Sequence, residues 1–599
     1  MRCRLLAGLL GGALLLGGAV GCGIPENTGV QVDGPGPAAE VGSTSGSRGE
    51  PPSRSAAGTD AEQFVKNFLS AAAGEPDRSY QRVRQFIAPT DRDRLQVKQG
   101  SEVALAVVRL TEEPEIVYAP DRTEVTLRVQ QVGQLRTDGT LAPPETSTTT
   151  YTFELRSQPG QEGRPDGGLY VANPPTALLL SVEALETYYR SRTIYFWNND
   201  RTRLVPDQRY LPLAVPDERR VSEVVKWLTA GPSAWLRSGV RVLPDGTRLI
   251  NNATRTDGRW EVDLEMPEDK ARLGEFGTQL AWSLSDFDGP LDIKIRNQSQ
   301  ELIPDLEQRR RDIPVHKLTE SPQRFCVYEG AVHPLAYAGE PTGPVPVDAR
   351  ANKNVVSAGL SRTDEQILAA LVVTDADRHR LSVGTGTGTD PVTVFTRSAK
   401  SYATMGRPVW LRSTYRGQQP AGLVVADGSL HRFDAQAQLT PVPLGLTGVT
   451  AVAASLDGHR IAVIAGGTLY VAALSPDGAG VNFGQPRRLH TRLTNLSAVD
   501  WYGENTLVLA GAVGRPAVYE VSVDGARESP LEDKIGAQVT HLAAYPANAV
   551  GRLGAVMYEA NGVAYRSGPF ERIQPEQVQE VPPSNGERVG NPTAPFFLY

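Results

Sequence analysis

The sequence predicts an exported three-domain protein in which two α+β domains precede an all-β propeller of five to six blades. Three observations predict this arrangement: an apolar leader, two regions where helical periodicity gives way to alternation, and a C-terminal strand pattern that recurs roughly every 40 to 55 residues. A chain of 599 residues is also too long for one core, because single cores stop growing near about 250–300 residues.

The first 22 residues carry the clearest chemical signal. Two arginines precede an apolar run from Leu5 to Val20, and small residues then lead into Cys22. This is the pattern of a secretory signal peptide. The run is shorter than the roughly 20 residues that a membrane-spanning helix needs. We therefore expect residues 1–21 to be removed on export.

A cysteine directly after the small residues resembles the lipobox of bacterial lipoproteins, although Ala19 stands where leucine is usual. The resemblance implies that Cys22 becomes the N-terminus and carries an S-diacylglycerol and an N-palmitoyl group. Such a chain would be anchored to the outer face of the plasma membrane. The alternative is an ordinary cleaved signal with an incidental cysteine.

Charge and cysteine content exclude several classes of protein. The net charge of -7 gives no reason to expect nucleic acid as a partner. Cys3 leaves with the leader and Cys22 carries lipid, so only Cys326 remains as a free thiol, and neither an internal disulfide nor a Cys-x-x-Cys site can form. Cys326 lies among apolar residues and is predicted to be a small buried strand residue.

Residues 22–58 are predicted to be a flexible linker, because they hold no aromatic residue and cannot bury enough apolar surface to order themselves. The first domain is assigned to residues 59–186. Asp60 is a predicted helix N-cap, a second helix is expected around Ser79–Ile87, and alternating strands follow. The order of elements, with helices first and an antiparallel sheet after them, predicts an α+β domain. The order of elements resembles the nuclear-transport-factor-2-like fold.

The second domain is assigned to residues 192–312. A strand at Thr193–Trp197 precedes a helix that Gly231-Pro232 should end. Three motifs follow one another, and their order resembles the GerMN domain of germination and envelope proteins: Leu228–Pro232, Leu243–Thr247 and Val262–Leu264. A helix around Gly277–Leu284 and a strand at Leu291–Ile295 complete the domain.

Residues 302–317 are interpreted as a connector to the third domain. Its three arginines, Arg309 to Arg311, are predicted to form a solvated helix end. The alternative is contact with acidic lipid or wall polymer.

The third domain, residues 318–599, repeats a pattern of paired apolar strands, as in Val355–Leu360 with Ile367–Val373. The repeat length is that of a propeller blade, and ring closure would remove exposed sheet edges. Tight turns that accept positive φ are predicted at four dipeptides: Asp427-Gly428, Asp457-Gly458, Asp524-Gly525 and Asn561-Gly562.

The order of the segments resembles that of the actinobacterial LpqB lipoprotein family over essentially the whole chain: a lipobox, an α+β domain, a GerMN-like domain and a propeller. The resemblance implies a membrane-anchored accessory protein without enzymatic activity. Such a protein would bind the extracytoplasmic domain of a sensor histidine kinase of the MtrB type. It would thereby modulate a two-component system that controls the cell envelope and division.

A search for catalytic motifs finds no nucleophile elbow, zinc-protease helix, P-loop or EF-hand loop, and no catalytic, cofactor or metal residues are assigned. Propellers can host glycosidases that use two carboxylates. Asp457, Asp500 and Glu520 are therefore candidates, but Asp457 is explained by its turn, and alternation places the other two on the non-core face. The Gly384–Gly388 segment is interpreted as a flexible loop, with phosphate binding as a remote alternative.

Two other functions remain open at the level of sequence. One is a module that binds cell-wall polysaccharide or peptidoglycan, and the other is a propeller glycoside hydrolase.

Overall fold

A computed structural model gives the architecture of the chain. It describes residues 49–158, 168–267, 270–315, 322–337, 340, 342–362, 366–388, 390–411, 419–477, 480–546, 554–567, 570–582 and 590–599. These described residues form one compact unit.

The first domain begins earlier than its sequence indicates. Arg54–Ala57 forms a 3-10 turn, and Ala57 packs into the hydrophobic core of the domain. The flexible linker predicted to reach Gly58 is therefore too long at its C-terminal end. A turn with a single buried methyl group leaves no apolar pattern that a sequence could reveal.

Three α-helices pack on the sheet of the first domain: α1 (Ala61–Ser70), α2 (Ser79–Phe86) and α3 (Val182–Tyr188). The predicted N-cap is confirmed, because the Asp60 carboxylate accepts hydrogen bonds from the backbone N–H groups of Glu62 and Gln63, at 3.0 and 3.1 Å. Phe68 of α1 meets Phe153 of the sheet edge to face, with ring centroids 5.4 Å apart. Helix α1 is therefore held on the sheet by aromatic packing.

The sheet of the first domain has seven strands in the order β6-β5-β3-β1-β7, with β2 and β4 also paired to β3. Its strands are β1 (Ala104–Leu110), β2 (Glu115–Tyr118), β3 (Thr123–Arg136), β4 (Leu141–Ala142), β5 (Thr148–Gln158), β6 (Gly168–Val171) and β7 (Leu178–Ser181). All pairings are antiparallel except that of β1 with β7. The α+β layout is confirmed, and the nuclear-transport-factor-2-like form stays a prediction.

The second domain contains a hairpin, a five-stranded sheet and three helices. Its elements are β8 (Tyr189–Trp197), β9 (Leu204–Pro212), α4 (Asp217–Ala230), β10 (Arg248–Leu249), β11 (Thr254–Thr256), β12 (Arg259–Glu265), α5 (Lys270–Ser283), β13 (Leu291–Ile295), β14 (Gln298–Ile303) and α6 (Leu306–Asp312). Gly231 ends α4 at φ 92°, as predicted for a glycine cap. Helix α5 begins at Lys270, earlier than the predicted Gly277.

The three arginines before the third domain do not form a free helix end. They lie in α6, where Arg309 donates to the Gly274 carbonyl at 2.9 Å and Arg310 to the Ala281 carbonyl at 2.9 Å. Both acceptors belong to α5, so these arginines fix α6 to the second domain. Only Arg311 is well exposed, and it pairs with Glu307. The connector interpretation is therefore wrong for α6.

The third domain is a propeller of six sheets in the described residues. The first blade contains β17 (Val355–Arg362), β18 (Gln366–Asp375), β19 (Arg378–Thr387) and β20 (Phe395–Arg397), and the second contains β21 (Val409–Leu411), β22 (Ala421–Ala426), β23 (Ser429–Asp434) and β24 (Leu439–Pro441). The third blade contains β25 (Val449–Ala454), β26 (Arg460–Ala465), β27 (Thr468–Asp477), β28 (Gly480–Phe483) and β29 (Arg487–Leu489). The fourth blade contains β30 (Thr494–Trp501), β31 (Thr506–Val513), β32 (Arg515–Ser522) and β33 (Glu528–Glu532), and the fifth contains β34 (Val539–Tyr545), β35 (Ala555–Ala560), β36 (Val563–Arg566) and β37 (Glu571–Arg572).

The sixth blade joins the two ends of the domain. It combines β15 (Arg324–Tyr328), β16 (Ala331–Pro334) and the C-terminal strand β38 (Thr593–Phe597), in the order β16-β15-β38. Phe325 pairs with Phe596 across this join, and their rings stack 5.7 Å apart. The ring is thus closed by the last strand of the chain, which removes two exposed sheet edges. Cys326 lies in β15 and is fully buried, as predicted.

The predicted turns have the backbone that their sequences require. All four glycines have positive φ, between 69° and 80°. Asp427 and Asn561, which precede Gly428 and Gly562, also have positive φ. These two hairpins therefore have left-handed backbone at both central residues.

The glycine-rich segment predicted to be a loop is a strand. Gly384 and Gly386 lie within β19. A Cβ atom on Gly384 would come within 2.6 Å of Val392 Cγ1. Small residues are required here because a neighbouring segment packs directly on the strand. The loop interpretation, and phosphate binding with it, is therefore wrong.

Candidate functional site

Cys22, the one residue to which the sequence assigns chemistry, lies outside the described residues. The lipid anchor therefore stays a prediction. Within the described residues no helix is both long and apolar enough to cross a bilayer.

The three candidate carboxylates differ in their partners. Asp457 is bound by Arg460, with its Oδ2 2.7 Å from the arginine Nη2. Asp500 is bound by Arg407 at 2.8 Å and accepts the Ala544 N–H at 2.9 Å. Glu520 lies in the same cross-strand row of the fourth blade as Asp500, and burial raises its pKa. Both aspartates are therefore held in ion pairs with arginine, so neither is available as the free acid or nucleophile that a glycosidase uses.

The prediction that Asp500 lies on the non-core face is wrong, because the residue is only 4% exposed. Its partner Arg407 reaches from the second blade to the fourth, past the third. Alternation along β30 cannot reveal a cation supplied by another blade. The ion pair neutralises Asp500 within the protein and so stabilises the ring of blades.

A metal site is not found either. Among the described residues no three histidine, cysteine, aspartate or glutamate side chains are grouped so that they could hold a metal ion. His459 is fixed by Asn198, with 2.9 Å between Asn198 Nδ2 and the imidazole Nε2. Burial lowers the pKa of His541 to about 3, with the nearby Arg407 as a further cause. These imidazoles are packing and contact residues in the neutral form.

The second domain is joined to the propeller by a buried polar cluster. Arg460 stacks over Trp501, with its guanidinium carbon 4.7 Å from the ring centroid, and donates to the Pro206 carbonyl of β9 at 3.3 Å. Asp457 and Arg460 expose 2% and 1% of their side chains. Because both charges are satisfied and shielded from water, the cluster fixes β9 against the third blade.

A second set of contacts surrounds this cluster. The Tyr195 hydroxyl donates to Glu504 at 2.6 Å, and the Asn505 amide donates to the Thr193 hydroxyl at 2.9 Å. Tyr195 and Thr193 lie on β8, while the other two follow the first strand of the fourth blade. The β8–β9 hairpin is therefore held by two consecutive blades.

The first domain is also fixed to the propeller. Arg109 of β1 pairs with Glu528 at 3.4 Å and donates to the Gly525 carbonyl at 2.8 Å. Arg109 and Glu528 expose 3% and 0% of their side chains. Ala526 packs into the core of the first domain. Three domains that could move independently are therefore one body, because charged groups at their contacts are buried and paired.

An open groove lies on the second domain. It has a volume of about 380 Å³ and is formed by the C-terminal end of α4 and the segment after β10. Its lining combines polar and apolar groups, and consists of Lys226, Thr229, Ala230, Arg248, Leu249, Ile250, Asn251 and Asn252. Ile250 is 42% exposed at this groove, and Val242, close to Gly231 at the end of α4, is 50% exposed. The groove is therefore open to solvent and bordered by exposed apolar side chains.

Comparison with known proteins identifies the three domains. Family models match residues 54–185 as the LpqB N-terminal domain, residues 193–301 as the Germane domain of sporulation and spore germination, and residues 336–565 as the LpqB β-propeller domain. The chain is thus a propeller protein with two preceding accessory domains. It belongs to the LpqB lipoprotein family.

Relatives share this organisation over most of their length. Lipoprotein LpqB of Rhodococcus opacus is 25% identical over 80% of this chain and 81% of its own. Lipoprotein LpqB of Mycobacterium paratuberculosis is 25% identical over 93% of this chain and 95% of its own. Among solved structures, the Dos1 propeller is similar over 42% of this chain and 66% of that chain, with 11% identity and a TM-score of 0.24.

Proposed function

We propose that this chain is an extracytoplasmic lipoprotein, anchored through Cys22, that binds the extracytoplasmic domain of a sensor histidine kinase. Binding would modulate a two-component system of the MtrAB type that controls the cell envelope and division. The role is one of binding rather than catalysis.

The buried polar contacts between domains carry this proposal. Arg109, Arg460 and Tyr195 each join the propeller to a preceding domain through partners that are largely shielded from water. Domains fixed in this way present their outer surfaces at constant spacing and lose little conformational freedom on binding. A rigid surface of this kind suits recognition of a folded protein domain.

The candidate carboxylates support a non-catalytic role. Asp457 and Asp500 are each bound by an arginine, and neither is placed to attack a substrate or to transfer a proton to it. The relatives are named as lipoproteins. A lipid anchor would also confine the chain to the surface on which a sensor kinase displays its extracytoplasmic domain.

The full chain, purified in detergent, should bind the purified extracytoplasmic domain of the sensor kinase from the same cell. Titration calorimetry measures the affinity, and the corresponding domain of an unrelated sensor kinase is the control. Saturable binding to the first domain alone is the expected result. Absence of binding, or equal binding to both domains, would overturn the proposal.

A second function, binding of cell-wall polymer, is favoured by the amide and hydroxyl groups that line part of the groove beside α4. Amide and hydroxyl groups such as those of Asn251, Asn252 and Thr229 suit a glycan. Co-sedimentation of the same chain with purified wall material separates the two functions. Retention on the wall without binding to the kinase domain would reverse their order.

A further inference from the structure

Strand β2 of the first domain is an open sheet edge with exposed apolar side chains. It pairs with the N-terminal part of β3, whereas β1 pairs with the C-terminal part of the same strand. No second strand pairs with β2 in the described residues. Val117 is 54% exposed and Tyr118 is 74% exposed. An unpaired edge of this composition is a template for pairing with another chain.

The edge is surrounded by negative charge. Residues 112–124 contain five carboxylates and one arginine. Two of these carboxylates are paired with arginine, Glu112 with Arg128 at 2.5 Å and Asp121 with Arg122 at 3.8 Å. Glu115 within the strand and Glu113 before it are exposed. A partner segment of positive charge is therefore attracted, and the surface of an anionic lipid bilayer is repelled.

We propose that β2 is a docking edge for the sensor kinase domain, which adds a basic extended segment to it by strand pairing. The inference rests on the proposed function and names the contact surface and the chemistry of the partner. Within Glu115–Tyr118, the backbone groups that point away from β3, those of every second residue, supply the hydrogen bonds. Val117 and Tyr118 supply apolar contact, and the surrounding carboxylates pair with lysine or arginine side chains.

The test compares two variants of the full chain in the kinase-domain titration. Val117→Lys with Tyr118→Lys places two cations on the edge, and both positions are exposed enough that the fold should tolerate them. Val394→Lys is the matched control, because Val394 is 75% exposed and lies in the propeller. We expect the double variant to bind roughly tenfold more weakly or worse, and the control to bind as the unaltered chain does.

Two further measurements report on the mode of binding. Affinity for the unaltered chain should fall as salt rises from about 50 to 300 mM, because screening weakens charge pairing. Amide hydrogen exchange should slow in the complex at those residues of 115–118 whose N–H groups point away from β3, because strand pairing occupies these groups.

The outcomes are distinguishable. If the unaltered chain and both variants bind the kinase domain with equal affinity, the docking edge is overturned and the proposed function stays in place. No binding by the unaltered chain overturns both. The Cys22→Ala chain can also be mixed with neutral phosphatidylcholine vesicles. If it binds them only when Val117 and Tyr118 are intact, and the double variant leaves the affinity for the kinase domain unchanged, the edge is a membrane contact and the docking proposal is overturned.

Discussion

An Asp457→Asn chain is expected to lose about 3–5 kcal/mol of unfolding free energy, because the substitution leaves a buried guanidinium without its counter-charge. Arg460 donates its two shortest hydrogen bonds to Asp457 Oδ2, at 3.0 and 2.7 Å, and both side chains are almost fully buried. The guanidinium also contacts Pro206 of the second domain. The loss should therefore loosen the contact between domains as well as the third blade.

Denaturation in guanidinium chloride measures this effect through its midpoint, and hydrogen exchange along β9 locates it. The control is Glu307→Gln, which removes an exposed partner of Arg311 and should change stability by no more than about 1 kcal/mol. If the two variants unfold at the same denaturant concentration, the buried cluster does not hold the domains together.

Replacement of Cys22 by alanine is expected to have the largest effect on location. The thiol that receives the diacylglycerol is lost, and with it the acyl chains that hold the protein on the bilayer. Two acyl chains give stable attachment where one is marginal. We therefore expect the protein to leave the membrane fraction, or to remain as an unprocessed precursor.

Fractionation of cells and the mass of the N-terminal peptide measure these outcomes. Cys326→Ala is the control, since that thiol lies in the propeller core and is fully buried. Mature Cys22→Ala protein that stays in the membrane fraction would contradict the lipobox interpretation.

Much of the fold could be predicted from the sequence because the signals were local. Asp60 caps α1 through its own neighbours, and Gly231 ends α4 by its own positive φ. The propeller was recognisable because its strand pairs repeat, so one weak pattern occurs several times. The lipid anchor at Cys22 stays a prediction, because that residue lies outside the described residues.

The buried polar contacts within and between domains could not be predicted, because they depend on partners supplied from other segments of the chain. Asp207 and Arg209 interrupt the apolar pattern of β9, yet all nine residues of that strand are buried. These two charges pair at 3.1 Å and are satisfied by Ser233 and the Gly231 carbonyl. Polar residues in such a strand indicate exposure only when no partner is supplied from elsewhere.

The groove and the open edge were missed for a related reason. Arg248 to Asn252 form one side of a groove only because α4 ends beside them. Val117 and Tyr118 look like core residues of a strand, and their exposure follows from where β1 ends along β3. Sequence alternation predicts which side chains share a face, whereas tertiary packing decides whether that face is covered.

Phosphorylation of the response regulator, in membranes that contain the sensor kinase, tests the proposed function most directly. The lipidated chain should change the rate of phosphate transfer to the regulator. The Cys22→Ala chain at the same concentration should change it less, because it is not confined to the membrane. A rate that is the same with and without the lipidated chain would contradict the proposal.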